Sequence, residues 1–420
     1  MNKHDLIPES SSVVENCQIC SSENLVPFLF LGYLPPVNAM HAIGKKPQEQ
    51  PSYPAQLLYC ESCSLVQLGL IVSPKILFPP EYPYTSSTTK ILRENFAELY
   101  KEARVIIDIE KNDLIVDIGS NDGNLLSNFK NNHRVLGITP EQIGKLAIEK
   151  GIPTIIDFFR KEVVDEILKK HGKAKIITAT NVFAHIMDIN SIVELILRLL
   201  DDDGVFISES HYLKPLIETL QYDTIYHEHL RYYSLHSLKH LLEKHDLEII
   251  HAKEIPTHGG SIRVYAARKG KYPVKGIVAG ILEAEKGVVI GTQNLFDFSR
   301  KVTMSKLELH SLLLDIKKKN KRIYGIGAPS RASTLINYVG IDDGIVDAVM
   351  EIKGSHKIGK YMPGTLIPVE EESKLYEQQP EYALLLSWHI AEELAPKIRQ
   401  NGFRGDFIVP LPQPRILKLK

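Results

Sequence analysis

Between Tyr222 and Ser234 the chain packs two histidines, two carboxylates and four tyrosines into one short stretch, including Tyr226, His227, Glu228 and His229. An imidazole titrates near neutrality and can take a proton from carbon. A phenol beside it can donate to an oxygen that gains charge. Together they suit removal of a proton alpha to a ketone, which turns that carbon into a nucleophile. The zinc-protease pattern H-E-x-x-H is excluded, because the position of its second histidine is Arg231.

A second chemistry is written in the cysteines. Cys17, Cys20, Cys60 and Cys63 are the only four, and they form two C-x2-C pairs. Two such knuckles offer four thiolates to a tetrahedral zinc and leave no open position, so the metal is expected to be structural. The competing reading, disulfides or a redox dithiol, needs an oxidising compartment or a thioredoxin-like context. The stretch Phe30 to Ala39 between the knuckles reads as a turn and loop facing a neighbouring site.

The third signal is a strand, a glycine turn and a helix at Leu114–Leu126, with Asp117, Gly119, Asn121, Asp122 and Gly123 at the turn. Its glycines allow close approach to the backbone, but the spacing is not G-x-G-x-x-G. An acidic strand end with so short a turn suits S-adenosylmethionine better than a pyrophosphate. Strands predicted at 134–138, 154–157, 175–180 and 204–209 place Thr139, Asp157 and Asn181 at carboxyl ends, where open parallel sheets bind ligands. A threonine, Thr139, thus ends the second strand, with Glu141 two residues on. A comparable turn recurs at Gly325-Ile326-Gly327-Ala328, followed by Ser330, Arg331 and Ser333. The third glycine of a dinucleotide fingerprint is absent there. The turn is instead expected to receive a pyrophosphate, with a loop carrying Lys357 closing over it.

Taken in order, the four-cysteine segment, Asp117–Gly123, Asn181-Val182-Phe183-Ala184-His185, Tyr226–His229 and His258-Gly259-Gly260-Ser261 resemble the three-domain sugar C-methyltransferases. The resemblance spans nearly the whole chain. It implies an α/β protein: a small zinc-binding domain (1–85), then two doubly wound Rossmann-like domains, one for S-adenosylmethionine (86–270) and one for the sugar nucleotide (271–420). It implies a methyl branch placed on a nucleotide-diphospho-keto-deoxysugar. His229 is then the base, Tyr226 the enolate donor, Glu228 an orienting group and His185 a further polar group. Tyr84, or its neighbour Tyr82, would meet the sugar. The rival readings are enolate chemistry without methyl transfer, epimerase-like, which Thr139 motivates, and a non-catalytic sugar-nucleotide binder.

The elements that must carry these groups need more than one core in 420 residues. With 44% hydrophobic and 24% charged residues and a net charge of −1, nothing marks a nucleic-acid or membrane binder. The polar start of the chain has no signal-peptide core, so a soluble cytoplasmic protein is expected, monomeric or a weak homodimer.

Overall fold

The computed structural model describes residues 10–44, 49–77 and 90–418. The first lobe is an antiparallel meander of β1 (Leu25–Leu34), β2 (Tyr53–Cys60) and β3 (Val66–Leu68). Phe30–Leu34, expected in a turn, continue β1 instead. The strand stops at Pro35-Pro36, which have no N–H for a ladder.

In the central lobe, α1 (Lys90–Ile106) lays Phe96, Leu99 and Ala103 on the sheet. Its strands are β4 (Leu114–Ile118), β5 (Arg134–Ile138), β6 (Thr154–Ile155), β7 (Ala174–Thr180) and β8 (Leu200–His211). All five run parallel. Every residue of β4 is buried, as a strand covered on both faces must be. The chain then leaves this sheet: β9 (Arg231–Tyr232) pairs with β3 of the first lobe, Arg231 opposite Gln67 and Tyr232 opposite Val66. It returns through α2 (Leu235–Glu243) to β10 (Leu247–Ile255) and β11 (Ser261–Arg268), giving the order β10-β11-β8-β7-β4-β5-β6 with β11 antiparallel to both neighbours.

Helix α3 (Gly276–Lys286) falls beyond the expected boundary at 270, yet it packs on β10 and α2 of the central lobe. Its buried Glu285 accepts the amides of Leu235 and His236 at the start of α2. Helix α4 (Thr292–Lys317) leads into the third lobe. There β12 (Ile323–Ile326), α5 (Ser330–Val339), β13 (Ala348–Glu351), β14 (Val369–Glu371), β15 (Tyr382–Leu385), β16 (Asp406–Val409) and β17 (Arg415–Leu417) follow. The order is β14-β13-β12-β15-β16-β17, parallel except for β17. Both large sheets therefore reverse direction beside their first strand, between β4 and β7 and between β12 and β15. Among the described residues no helix is long and apolar enough to cross a membrane.

Candidate active site

The four cysteine sulfurs lie within 4.8 Å of one another, with Cys17 to Cys63 and Cys20 to Cys60 each 3.5 Å. Thiolates at about 2.3 Å around a tetrahedral ion stand about 3.8 Å apart, so the set fits a metal. Without one the thiols oppose each other. A hydrogen bond from Cys63 pulls Cys17 down to about 5, burial pushes Cys20 up to about 11, and its bond to Cys17 holds the Cys63 thiol far above its ordinary value. The knuckle is anchored outside its own lobe. Asn190 donates to the carbonyls of Gln18 and Ile19, Lys244 donates to Ile19, and the buried Arg231 donates to the Gln18 side chain at 2.9 Å.

Two residues before Arg231 stands His229, whose Nδ1 is 3.1 Å from the carbonyl of Thr224. A carbonyl only accepts, so Nδ1 carries the proton and Nε2 keeps its lone pair. Nε2 has no hydrogen-bond partner among the described residues. Burial first, then the neighbouring imidazoles of His185 and His211, hold the His229 pKa well below its ordinary value. The Tyr226 ring lies 4.2 Å away between centroids and the His185 ring 5.1 Å, edge-on. Burial raises the Tyr226 pKa, so its hydroxyl remains a donor, and lowers His185 to about 4. Glu228 is buried and accepts from Asn38 of the first lobe at 2.8 Å. Ile71, Val72, Pro74 and Leu77 of that lobe wall the small pocket shared with His185 and Glu228. Lys357 reaches the same place from the third lobe: burial lowers its pKa, and the charges of Glu351 and Glu228 oppose that. His227 turns away to the carbonyl of Pro54. Tyr82 and Tyr84 lie outside the described residues.

The first glycine turn sits at the switch between β4 and β7. Gly119 has φ +75°, and a Cβ there would lie 2.4 Å from the Val182 side chain, so only glycine lets the turns after β4 and β7 close together. Asn121 and Asn181 are also left-handed, at φ +50° and +57°. Three carboxylates expected at the cofactor are held by the protein. Asp117 is fully buried and accepts from Thr178 at 2.6 Å, Asp122 meets Lys150 at 2.9 Å, and Asp157 is gripped by Arg160 at 2.8 Å. Asp117 and Asp122 are buried, whereas Asp157 keeps part of its side chain exposed. Thr139 is buried, whereas the Glu141 side chain is half-buried with no partner among the described residues, and burial raises its pKa.

At the second turn the expected phosphate cradle is filled from within. The Gly327 amide donates to Met350, the Ala328 amide to the Glu351 carboxylate, and Lys357 donates to the Ala328 carbonyl. Ser330, half-buried, opens α5 just past this plugged turn. Arg331 is buried and bidentate on Asp223, at 2.7 and 2.8 Å, with its guanidinium 5.0 Å from the Trp388 ring centroid; Trp388 Nε1 donates to the same carboxylate. Arg331 thus fastens the third lobe to the segment from Gln221 to Tyr233. Asn38, Gln221, Asp223 and Trp388, and the histidines His211 and His389, are the members that sequence reading missed. Of these, Asn38 lay in the loop expected to face the site and Asp223 in the stretch from Tyr222 to Ser234, but neither had been given a role. His258, although inside a quoted motif, had been given no role.

Three family models match in succession: "Putative zinc binding domain" over residues 17–78, "Methyltransferase domain" over 89–252 and "C-methyltransferase C-terminal domain" over 256–412. The C-methyltransferase NovU of Streptomyces niveus is 30% identical over 411 residues, which cover 96% of this chain and 97% of that one. Among solved structures, the PH0226 protein from Pyrococcus horikoshii OT3 is 14% identical with a TM-score of 0.36, covering 45% of this chain and 97% of its own. An S-adenosylmethionine-dependent methyltransferase from Clostridium acetobutylicum ATCC 824 is 13% identical with a TM-score of 0.34, covering 44% and 94%. Likenesses that slight carry no argument. The full-length relative and the three successive models do, and by them the chain belongs to the C-methyltransferase family.

Proposed function

We propose that the protein transfers the methyl group of S-adenosylmethionine to a carbon of a nucleotide-linked keto-deoxysugar. The observation that carries this reading is the state of His229: neutral, with Nδ1–H on the Thr224 carbonyl and Nε2 left to accept a proton. His229 Nε2 takes the proton alpha to the ketone, and the electron pair of that C–H bond passes into the enolate. The Tyr226 hydroxyl donates to the enolate oxygen, and Glu228, held by Asn38, orients the sugar. S-adenosylmethionine, when bound, supplies an electrophilic methyl on sulfur. The turn from Gly119 to Gly123 and Asn181 would hold it, with Glu141 accepting from a ribose hydroxyl in place of the missing carboxylate at Thr139. Zinc in the four-thiolate site would fix the wall that Arg231 ties to the base. Thr139 favours a second reading, enolate formation without methyl transfer. The unpartnered Glu141 carboxyl speaks for the first.

The test follows a keto-sugar nucleotide in heavy water with methyl-labelled cofactor. The wild type should exchange the alpha proton and then incorporate label. His229→Asn, which keeps the size and cannot take the proton, should lose about 10²–10⁴-fold in both. Exchange without any label would establish the second reading, and full activity in the variant would place the base elsewhere.

A further inference from the structure

Beyond His229 and His185, the carboxyl edges of the two parallel sheets bring three more histidines to one place. His211 ends β8, His258 lies in the turn between β10 and β11, and His389 follows β15 at the switch of the third lobe. The turns carrying His258 and His389 pack on each other. Gln221 stands at the centre. Its Oε1 faces His211 Nε2 and Arg331, each at 3.4 Å, and its amide donates to the Gly259 carbonyl at 2.6 Å. The backbone is bent to achieve this. His258 adopts φ +57°, and a Cβ on Gly259 would come within 2.5 Å of Gln221 Oε1. A left-handed histidine costs about 1 kcal/mol and persists where the surroundings demand it.

The cluster is set for an anion. Since Gln221 Oε1 accepts, His211 holds its proton on Nε2, and its buried Nδ1 has no partner; the buried His389 Nδ1 has none either. His258 is exposed to water in the turn beside them. The charged groups facing the trio are Arg331 and Asp223, and Asp223 is already taken by Arg331 and Trp388. Burial, with Arg331 adding to it, keeps His211 and His389 at about 3, so both stay neutral until a negative charge arrives. His211 and His258 also act on His229, so whatever binds here lies beside the base. A diphosphate attached to the sugar ring that carries the acidic carbon meets that requirement.

We infer that His211, His258 and His389, gathered with Arg331 around Gln221, receive the diphosphate of the substrate and take up protons from solvent as they do so. This rests on the nucleotide-sugar reading above. Linkage then makes binding tighter as pH falls. The probes are uridine and thymidine diphosphoglucose, whose diphosphate is esterified at both ends and does not itself titrate near neutrality. Calorimetry on the full chain, in buffers of different ionisation heat, should show net proton uptake and affinity at least about tenfold tighter at pH 6 than at pH 8. His258→Gln and His389→Gln should each reduce the uptake and weaken binding at the lower pH, while S-adenosylhomocysteine binds as in the wild type. Binding that takes up no protons and is equal in all three proteins would overturn the inference and leave the nucleotide-sugar reading standing. Failure of both probes to bind while S-adenosylhomocysteine binds would overturn both.

Discussion

His229 gains from being unable to protonate easily. Burial lowers its pKa, so the free base persists below the pH at which an exposed imidazole, titrating near about 6.5, would be lost. The acidic limb of kcat/KM should therefore fall below about pH 6, and a limb at the ordinary histidine value would mean the site is open to water. Asp117 moves the other way: burial raises it to about 7, Thr178 opposes that by donating, and the charge of Glu209 adds to it. Below about pH 4 both folded and unfolded chains hold this proton. Between there and about pH 7 the unfolded chain releases it while the folded one cannot, so stability declines by on the order of 4 kcal/mol. Asp117→Asn accepts from Thr178 without carrying that liability. Its melting temperature should rise relative to wild type as pH goes from 5 to 8, and a gap that stays constant would refute the assignment.

Among the elements, the turn after β4 concentrates the most constraint. Gly119→Ala faces both a positive φ and the Val182 contact, and should lose about 2–4 kcal/mol. Adding Val182→Ala removes the contact but not the backbone cost. The double variant should recover part of the lost stability in thermal melts; full recovery would show that sterics alone set the glycine. Local pattern made this turn legible, since Leu114 to Ile118 is an unbroken apolar run apart from Asp117, and Gly119 follows at once. The strands around it were readable for the same reason. What local pattern could not convey is partnership across distance. β9 looks like part of a polar loop, and nothing near Arg231 announces Gln67. Arg331 stands beside a glycine turn in the manner of a phosphate ligand, and only the fold reveals that Asp223 holds it. Nor does spacing announce that Thr178, Lys150 and Arg160 hold the carboxylates of Asp117, Asp122 and Asp157. His229, by contrast, sits among rings of Tyr226 and Tyr232 that stand beside it in sequence.

At the scale of the whole molecule, three lobes converge on the segment from Gln221 to Tyr233. Asn38 and Pro54 reach it from the first, Ala184 from the second through its carbonyl to Leu230, and Arg331 and Thr334 from the third. The thiolate knuckle belongs to this assembly, because Gln18 sits on Arg231. Elemental analysis should find close to one zinc per chain. Chelation should depress methyl transfer by about tenfold or more while affinity for S-adenosylhomocysteine changes less, since the cysteines share a core with the central sheet but none belongs to the turn from Gly119 to Gly123. Equal loss of both would mean the metal supports the entire fold. The pairing of β9 with β3 also sets an order of events during synthesis. The first lobe leaves the ribosome early with β3 as a bare edge, and its fourth strand is made about 160 residues later. At ordinary translation rates that delay is on the order of ten seconds. Throughout it the nascent chain carries an unpaired strand of the kind chaperones and aggregating neighbours capture. What ends this exposure is the arrival of the strand at Arg231 and Tyr232, so a ribosome that stalls before Arg231 leaves behind a chain with that edge still open.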